Sequence, residues 1–484
     1  MIAYLALLPC VVAAVAVLIL RRNVLTASIL AFATAATIWA LGVFAPATIG
    51  QLGRAGMDTS ILELLVGLVI FPGILFVEGT NRGGSQRALV RAIETLNLEP
   101  ARKVILIAVG IGVMMESLTG YGVSMFVTVP LLLKEVSRGR AIYLALIGMS
   151  LMSWGALSIT ALLGAELAGL AAHVLASEML FTSGPIAAVL PLFCLVFMPN
   201  VTIKNAIYAL VSGVVLVSGI AVSSHYVGVE IAGVGGGLAV IVFVILSSDG
   251  ARSFVKSITT PEIRPYGLLI IMVVLQKAVF PIFSDAGITL VVETERVSFH
   301  VLNSPGIPLF LVFIYCFLSF PPEKRFARGY VVFKHAVTRS WPALTSIFAF
   351  LMTARLLVEI ESIQSLANLV STYGLYSAAV FTAVLGAIGS YVTGSGTAST
   401  ALFMVSAVAT GDSLNAIPLF ASLQLSAGAH AGVASLPIIA ILLAALPNEE
   451  VNDKSTAVRI GLILGTIWLL FVIFSGVAQI AITH

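Results

Sequence analysis

Residues 104–133 read VILIAVGIGVMMESLTGYGVSMFVTVPLLL, with Arg102 and Lys103 just before them and Lys134, Arg138 and Arg140 just after. This thirty-residue segment is too long for one membrane helix of about 20 residues and too short for two full crossings. Lys and Arg mark the cytoplasmic ends of membrane helices, so both ends of the segment read as cytoplasmic. Thr119-Gly120-Tyr121-Gly122 interrupts it in the middle. Two short helices that enter the bilayer and turn back, a re-entrant hairpin, satisfy all of this.

The rest of the chain supports a membrane setting. Of 484 residues, 59% are hydrophobic and 10% charged, where a soluble domain carries about 25% charged. Apolar runs of spanning length recur from Ala3–Leu20 through Ala206–Val222 to Ile460–Val477. The first run has no basic residues before it and Arg21-Arg22 after it, which predicts a membrane helix rather than a signal peptide. Further helices are predicted near 24–44, 60–79, 141–162, 183–199, 205–224, 228–247, 266–284, 305–320, 341–357, 415–440 and 459–482. The fold class is therefore an all-α polytopic membrane protein of about 12 transmembrane helices. No stretch is long and polar enough for a soluble catalytic domain, and a net charge of +3 gives no reason to expect nucleic acid. Cys10, Cys194 and Cys316 lie in apolar runs without metal-ligand or disulfide spacing. No enzyme activity, metal or cofactor is expected; membrane lipid is the surrounding partner. The setting expected for this multi-pass chain is a bacterial inner (plasma) membrane.

A second hairpin is predicted over 376–410, broken at Thr393-Gly394-Ser395-Gly396. Glu359 and Glu361 precede it and Asp412 follows, with no Lys or Arg beside it, so both of its ends read as periplasmic. Each hairpin has a Thr-Gly-x-Gly break. Each is followed, 33 and 32 residues after the second glycine, by a small polar interruption: Ser153-Trp154-Gly155 and Ser426-Ala427-Gly428. Similar breaks entering from opposite sides are the mark of an inverted repeat. The division is 1–202 for the first repeat with hairpin 104–133, 203–250 for connecting helices, and 251–484 for the second repeat with hairpin 376–410.

Irregular backbone at membrane depth is tolerated only where protein or a water-filled cavity satisfies it. At a hairpin turn the second helix points unpaired N–H groups and its positive dipole end into the protein, which makes an anion site of backbone. Thr119, Thr393, Ser395, Thr397 and Ser399 add hydroxyls there. Gly120, Gly122, Gly394 and Gly428 let a ligand approach the main chain, and Tyr121, Ser153 and Ser426 complete the candidate substrate-binding set. The competing reading is close packing of small residues between helices. Ionisable residues at depth are functional candidates. Glu116, just before the first tip, and His430, beyond Gly428, are candidates for coupling to a proton or a sodium ion. Lys277, inside an apolar run, is a candidate either for compensating substrate charge or for snorkelling to the outer interface. Arg355 reads as an interface anchor. Gly233-Val234-Gly235-Gly236-Gly237 lies within an apolar helix with no strand before it, so it reads as helix packing rather than a nucleotide loop.

Several segments resemble the L-lactate permease family. Glu116-Ser117-Leu118-Thr119-Gly120-Tyr121-Gly122 is similar to its Glu-x-x-x-Gly-Phe-Gly segment. Gly155-Ala156-Leu157, Pro265-Tyr266 with Lys277, Asn303-Ser304-Pro305-Gly306 and Trp341-Pro342-Ala343-Leu344-Thr345 follow in order. Thr393-Gly394-Ser395-Gly396-Thr397-Ala398-Ser399-Thr400-Ala401-Leu402-Phe403 matches Thr-Gly-Ser-Asp/Asn-Thr-x-Ser-Asn-x-x-Phe, and Ser426-Ala427-Gly428 with Gly432 and Pro437 closes the series. The resemblance implies proton-coupled symport of a small organic anion, most of all a 2-hydroxy monocarboxylate such as lactate or glycolate. The alternatives are an exporter or exchanger of another small anion, a sulfonate or dicarboxylate, or an anion channel. The chain departs from the family at Gly396 and Thr400, where an acid or amide and an asparagine are expected, and at Val433, where a lysine is expected. One acid and one base are absent together, as when a buried ion pair is deleted as a unit.

The opposed charge bias predicts that a thiol label at residues 134–140 reacts from the cytoplasm and one at 411–414 from the periplasm. Reaction of both from one side ends the inverted-repeat reading.

Overall fold

The structure is a computed structural model and describes residues 2–94, 96, 98–120, 122–248, 258–448 and 450–483. It is 81% helical. Among the described residues, seven helices are long and apolar enough to cross a membrane: Ile49–Gly83, Ile203–Tyr226, Val229–Leu246, Arg264–Asp285, Pro322–Glu359, Leu375–Thr393 and Asp453–Thr483. Two bent pairs bring this to nine: Ile159–Ala168 with Ala172–Thr182, at 113°, and Ile417–Ala434 with Leu436–Ala445, at 47°. Four further apolar helices, Ala3–Leu18, Val24–Ala40, Gly184–Phe193 and Gly306–Leu318, are shorter than the roughly 20 residues of a straight crossing.

Both predicted breaks are present. Pro100–Ile105, a π segment Leu106–Gly112 and Val113–Thr119 form one arm, and Val123–Glu135 returns along it. Gly120 (φ 65°) and Gly122 (φ 70°) turn the chain through conformations that only glycine adopts without strain. Leu375–Thr393 and Gly396–Ser413 form the second pair of packed arms around Gly394 (φ 71°).

Other expectations are corrected. The helix predicted over 141–162 is Arg138–Gly148, an irregular stretch 149–158, and Ile159–Ala168. Ala156, Leu157 and Ser158 all take left-handed backbone, and the N–H groups of Ala156 and Leu157 are bound by the carbonyls of Glu116 and Ser117. Ser426-Ala427-Gly428 is no interruption, because it lies inside the Ile417–Ala431 helix. Its small residues serve packing: a Cβ on Gly428 would sit 3.0 Å from Ser399 Oγ and 3.2 Å from Gly386 O. The break comes instead at Gly432–Ser435, where Pro437 bars a continuous helix by its missing N–H and its clash with the preceding turn. Helices Ala172–Thr182 and Ser362–Ser371, and the strands Val291–Glu293 and Ser298–His300, were not foreseen. The boundary expected at 250/251 lies outside the described residues.

The run Gly233–Gly237 shows what its glycines are for. A Cβ on Gly236 would meet Ile220 and Leu216, and one on Gly237 would meet Met114 N at 2.6 Å. The helix is thus held between Ile203–Tyr226 and the first hairpin arm. Across the molecule, Arg138 clamps the turn after the first hairpin to the last helix. Its Nε and Nη2 donate to both oxygens of Asp453 (2.6–3.0 Å), and Nη1 and Nη2 reach Pro447 O and Asn448 O.

Replacing Arg138 by Met strands a buried Asp453 and should lower folding stability by about 1.5–3 kcal/mol, the range for hydrogen bonds to charged groups. Lys at 138 should recover less than half, since it lacks the bidentate fork. Thermal unfolding in detergent reads the order Arg, Lys, Met; equal stability of all three would remove the clamp from the fold.

Candidate functional site

The first break is organised by Glu116. Its backbone carbonyl accepts from the N–H groups of Gly120 (2.8 Å) and Ala156 (3.1 Å). Its side chain reaches across the turn, where Oε1 accepts from Gly122 N–H (3.4 Å) and Oε2 from the Ser124 hydroxyl (2.9 Å). The N-terminus of Val123–Glu135 therefore already faces a carboxyl group of its own chain. Glu116 is buried.

The second break is built differently. Ser395 caps the Gly396–Ser413 helix by accepting from Ala398 N–H (3.3 Å). The Thr393 hydroxyl donates to Gly389 O and receives the Ser395 N–H. Gly396 and Thr397 are the first two residues of the helix, so their N–H groups have no helical acceptor. Here the N-terminus is not answered by a carboxylate.

The two breaks meet. Glu116 and Gly120 from the first, and Gly394, Ser395, Gly396 and Thr397 from the second, line one cavity of about 60 Å³. Met152, Gly155, Ala156, Ile159, Thr160 and Ile438 complete its wall. The Thr160 and Thr397 hydroxyls lie 2.9 Å apart across it. Among the described residues no Lys, Arg or His lines the cavity.

The remaining predicted residues fall in three places. Thr119 donates to Met115 O (2.6 Å) and lines a second cavity of about 370 Å³ with Phe126, Arg339 and Ile441. Ser153, Ser426 and His430 belong to a buried polar network beside the small cavity. There His430 Nε2 lies 2.6 Å from Ser183 Oγ, Nδ1 contacts Ser150 O, Ser183 Oγ lies 3.2 Å from Ser153 Oγ, and Ser426 pairs with Thr182. Both ring nitrogens of His430 are engaged in it. Ser399 donates to Gly386 O and ties the two arms of the second hairpin together. Tyr121 lies outside the described residues.

Lys277 sits apart from both breaks. It donates to Glu230 (2.5 Å) and to Asn303 Oδ1 (2.7 Å), lining a third cavity of about 460 Å³. Arg355 is no interface anchor: it is buried 4.0 Å from Asp58. Asp58 accepts from Thr294, and Arg296 pairs with Glu359, so this polar group pins the small β-hairpin to two long helices.

Sequence reasoning missed Thr160 and Ile438 in the small cavity and Glu230 beside Lys277. Glu230, an acid opening the apolar run 229–246, was the available signal. Gly394, predicted to admit ligand, leaves no room for a side chain: a Cβ would lie 2.5 Å from Pro437. Gly396 is the open one, with its nearest neighbours, Ala429 and Thr160, 3.5–3.6 Å away.

No curated protein matches the chain. The family model for L-lactate permease matches residues 2–286, which include the first hairpin, Glu230 and Lys277 but not Thr393–Phe403. That span is more than half of the chain, and with its apolar helices the protein is a multi-pass member of the L-lactate permease family of membrane transporters.

Proposed function

We propose that this protein is a proton-coupled secondary transporter of 2-hydroxy monocarboxylates such as lactate or glycolate. The observation that carries the reading is the cavity shared by the two helix breaks. A buried water needs roughly 10–15 Å³ of such space, so about 60 Å³ suits a group the size of glycolate or lactate. The free N–H groups of Gly396 and Thr397, with whichever hydroxyl of the Thr160–Thr397 pair is not donating to the other, offer donors to a carboxylate and a 2-hydroxyl. With no cation among the described residues of the wall, the repulsion between a bound anion and an ionised Glu116 has no counter-charge to offset it. Entry of the anion together with a proton on Glu116 removes it, which is symport.

The three cavities support alternating access. The Ile159–Ala168 helix lines the small cavity with Ile159 and Thr160 and the 460 Å³ cavity with Leu162, Ala165 and Glu166. Gly120 and Ile438 line the small cavity, while the nearby Thr119 and Ile441 line the 370 Å³ cavity. The latter carries Arg339, from the basic N-terminal half of the Pro322–Glu359 helix, and is taken as the cytoplasmic side. In this reading the breaks are re-entrant tips of an inverted repeat, 1–202 and 251–484. The matching order of elements, arm, break, arm, helix, break, helix, supports it. With Leu375–Thr393 counted as a hairpin arm, the other six long helices, the two bent pairs and the four short apolar helices make twelve spans in a bacterial inner membrane.

Glu116→Gln should slow pH-driven lactate accumulation more than lactate exchange in proteoliposomes, because an amide keeps a hairpin hydrogen bond but carries no proton. Equal loss of both makes Glu116 structural; unchanged uptake removes it from the mechanism.

Gly396→Ala fits the available space and should bind lactate with little change. Gly396→Asp sets a carboxylate against the free N–H groups and should weaken binding by roughly 10- to 100-fold, about 1.4–2.7 kcal/mol. Adding Val433→Lys, which restores the acid–base pair absent here, should recover part of that loss. Wild-type affinity in Gly396→Asp, measured on purified protein, would place the anion elsewhere.

A further inference from the structure

Arg264–Asp285 is the most exposed of the long apolar helices, with 11% of its spanning window buried. Yet Lys277 turns its ammonium inward, and its side chain is 13% exposed. At 1.5 Å per residue it lies about 20 Å along the helix from Arg264, well inside a hydrocarbon core of roughly 30 Å. A snorkelling lysine would reach for the interface. This one faces a 460 Å³ cavity and is held by Glu230 (2.5 Å) and Asn303 (2.7 Å). Glu230 is buried in turn, and Gly228 beside it is a close approach: a Cβ there would lie 2.7 Å from Glu230 Oε2 and 3.5 Å from the Lys277 stem. The backbone is thus fitted around the pair.

We propose that this cavity is a second, outward-facing anion site, in which Lys277 binds the carboxylate of a small monocarboxylate after Glu230 takes up a proton. The proposal rests on the transport reading above. While Glu230 is ionised, the pair is neutral and an added carboxylate is repelled by Glu230. A proton from the outer solution on Glu230 breaks that pairing, and the incoming carboxylate replaces it on Lys277. The net charge of the site is the same before and after, so proton and anion arrive together. The occupied site would lie about 8 Å along the Ile159–Ala168 helix from Thr160, judged by the separation of Thr160 and Ala165. That is one short step outside the tip cavity.

Other titratable groups line this cavity: Glu166 on Ile159–Ala168, His173 on Ala172–Thr182, His225 on Ile203–Tyr226 and His300 on the second strand. Glu178, also on Ala172–Thr182, is bonded to Gln479 instead. Among these, only Glu230 is bonded to the lysine, so the pH response at Lys277 is assigned to it.

The test uses Ser298→Cys in the full chain, labelled from outside with an impermeant maleimide above the background of the native cysteines. Ser298 is exposed and lines the cavity. L-lactate should slow labelling, more at acid than at alkaline pH. Lys277→Gln should raise the lactate needed for protection by at least about tenfold, the scale of one lost charge-assisted contact, and Lys277→Arg should retain protection. Glu230→Gln should keep protection and lose its pH dependence. If Lys277→Gln does not fold, the double variant Lys277→Gln with Glu230→Gln leaves no orphan charge and is read the same way. Protection unchanged without Lys277, no protection in the parent, or loss of protection in Glu230→Gln would each overturn the site. Protection without lactate uptake by the wild type would instead sink the transport reading and leave this site standing.

Discussion

The carbonyl of Glu116 accepts two N–H groups, one from Gly120 in its own turn and one from Ala156 in the irregular stretch two helices further on. Ser117 O then accepts Leu157 N–H at 2.6 Å. In a hydrocarbon medium a broken helix survives only if its exposed backbone groups find partners in protein. Here one break supplies the partners of another. The first hairpin tip and the 149–158 stretch are consequently a single unit: neither is stable as irregular backbone alone, and together they leave a polar seam in an apolar interior. The second hairpin is set against that seam through the Thr160–Thr397 contact.

The two tips solve the same electrostatic problem in different ways. A helix N-terminus carries a partial positive charge. In the first hairpin the chain answers it with Glu116, so the local site is self-occupied. In the second, Ser395 meets one N–H group and Gly396 and Thr397 keep theirs. That asymmetry gives the cavity one titratable group and one set of unpaired donors on facing sides. Lys277 and Glu230 stay outside this arrangement and face each other in a separate cavity.

Both helix breaks were legible in the sequence because each falls at a glycine pair that interrupts an apolar run. Thr-Gly-x-Gly marked the turns correctly because glycine at positive φ has no substitute there. The same reasoning failed at Ser426-Ala427-Gly428, since a small residue means close approach as readily as a break. Gly428 approaches Gly386 and Ser399 within an intact helix, and it was Pro437 that carried the information about where the helix ends. Thr119 was placed with the ligand by its position in the motif, but its hydroxyl satisfies the Met115 carbonyl in the preceding turn, as threonines in membrane helices do. The pairing of Lys277 with Glu230 joins residues 47 apart, a tertiary fact that no local pattern contains.

The π segment Leu106–Gly112 sits in the arm that leads to Glu116. A π turn takes more residues than an α turn to complete the same rotation. Over this stretch the side chains therefore advance around the arm more slowly, and everything beyond Gly112 faces a different azimuth from the one an unbroken helix begun at Pro100 would give it. The bearing of Glu116 toward the second hairpin is set by this unwinding, seven residues upstream on average. A single deletion or insertion there would rotate the carboxyl away from its partners while leaving every residue of the tip unchanged.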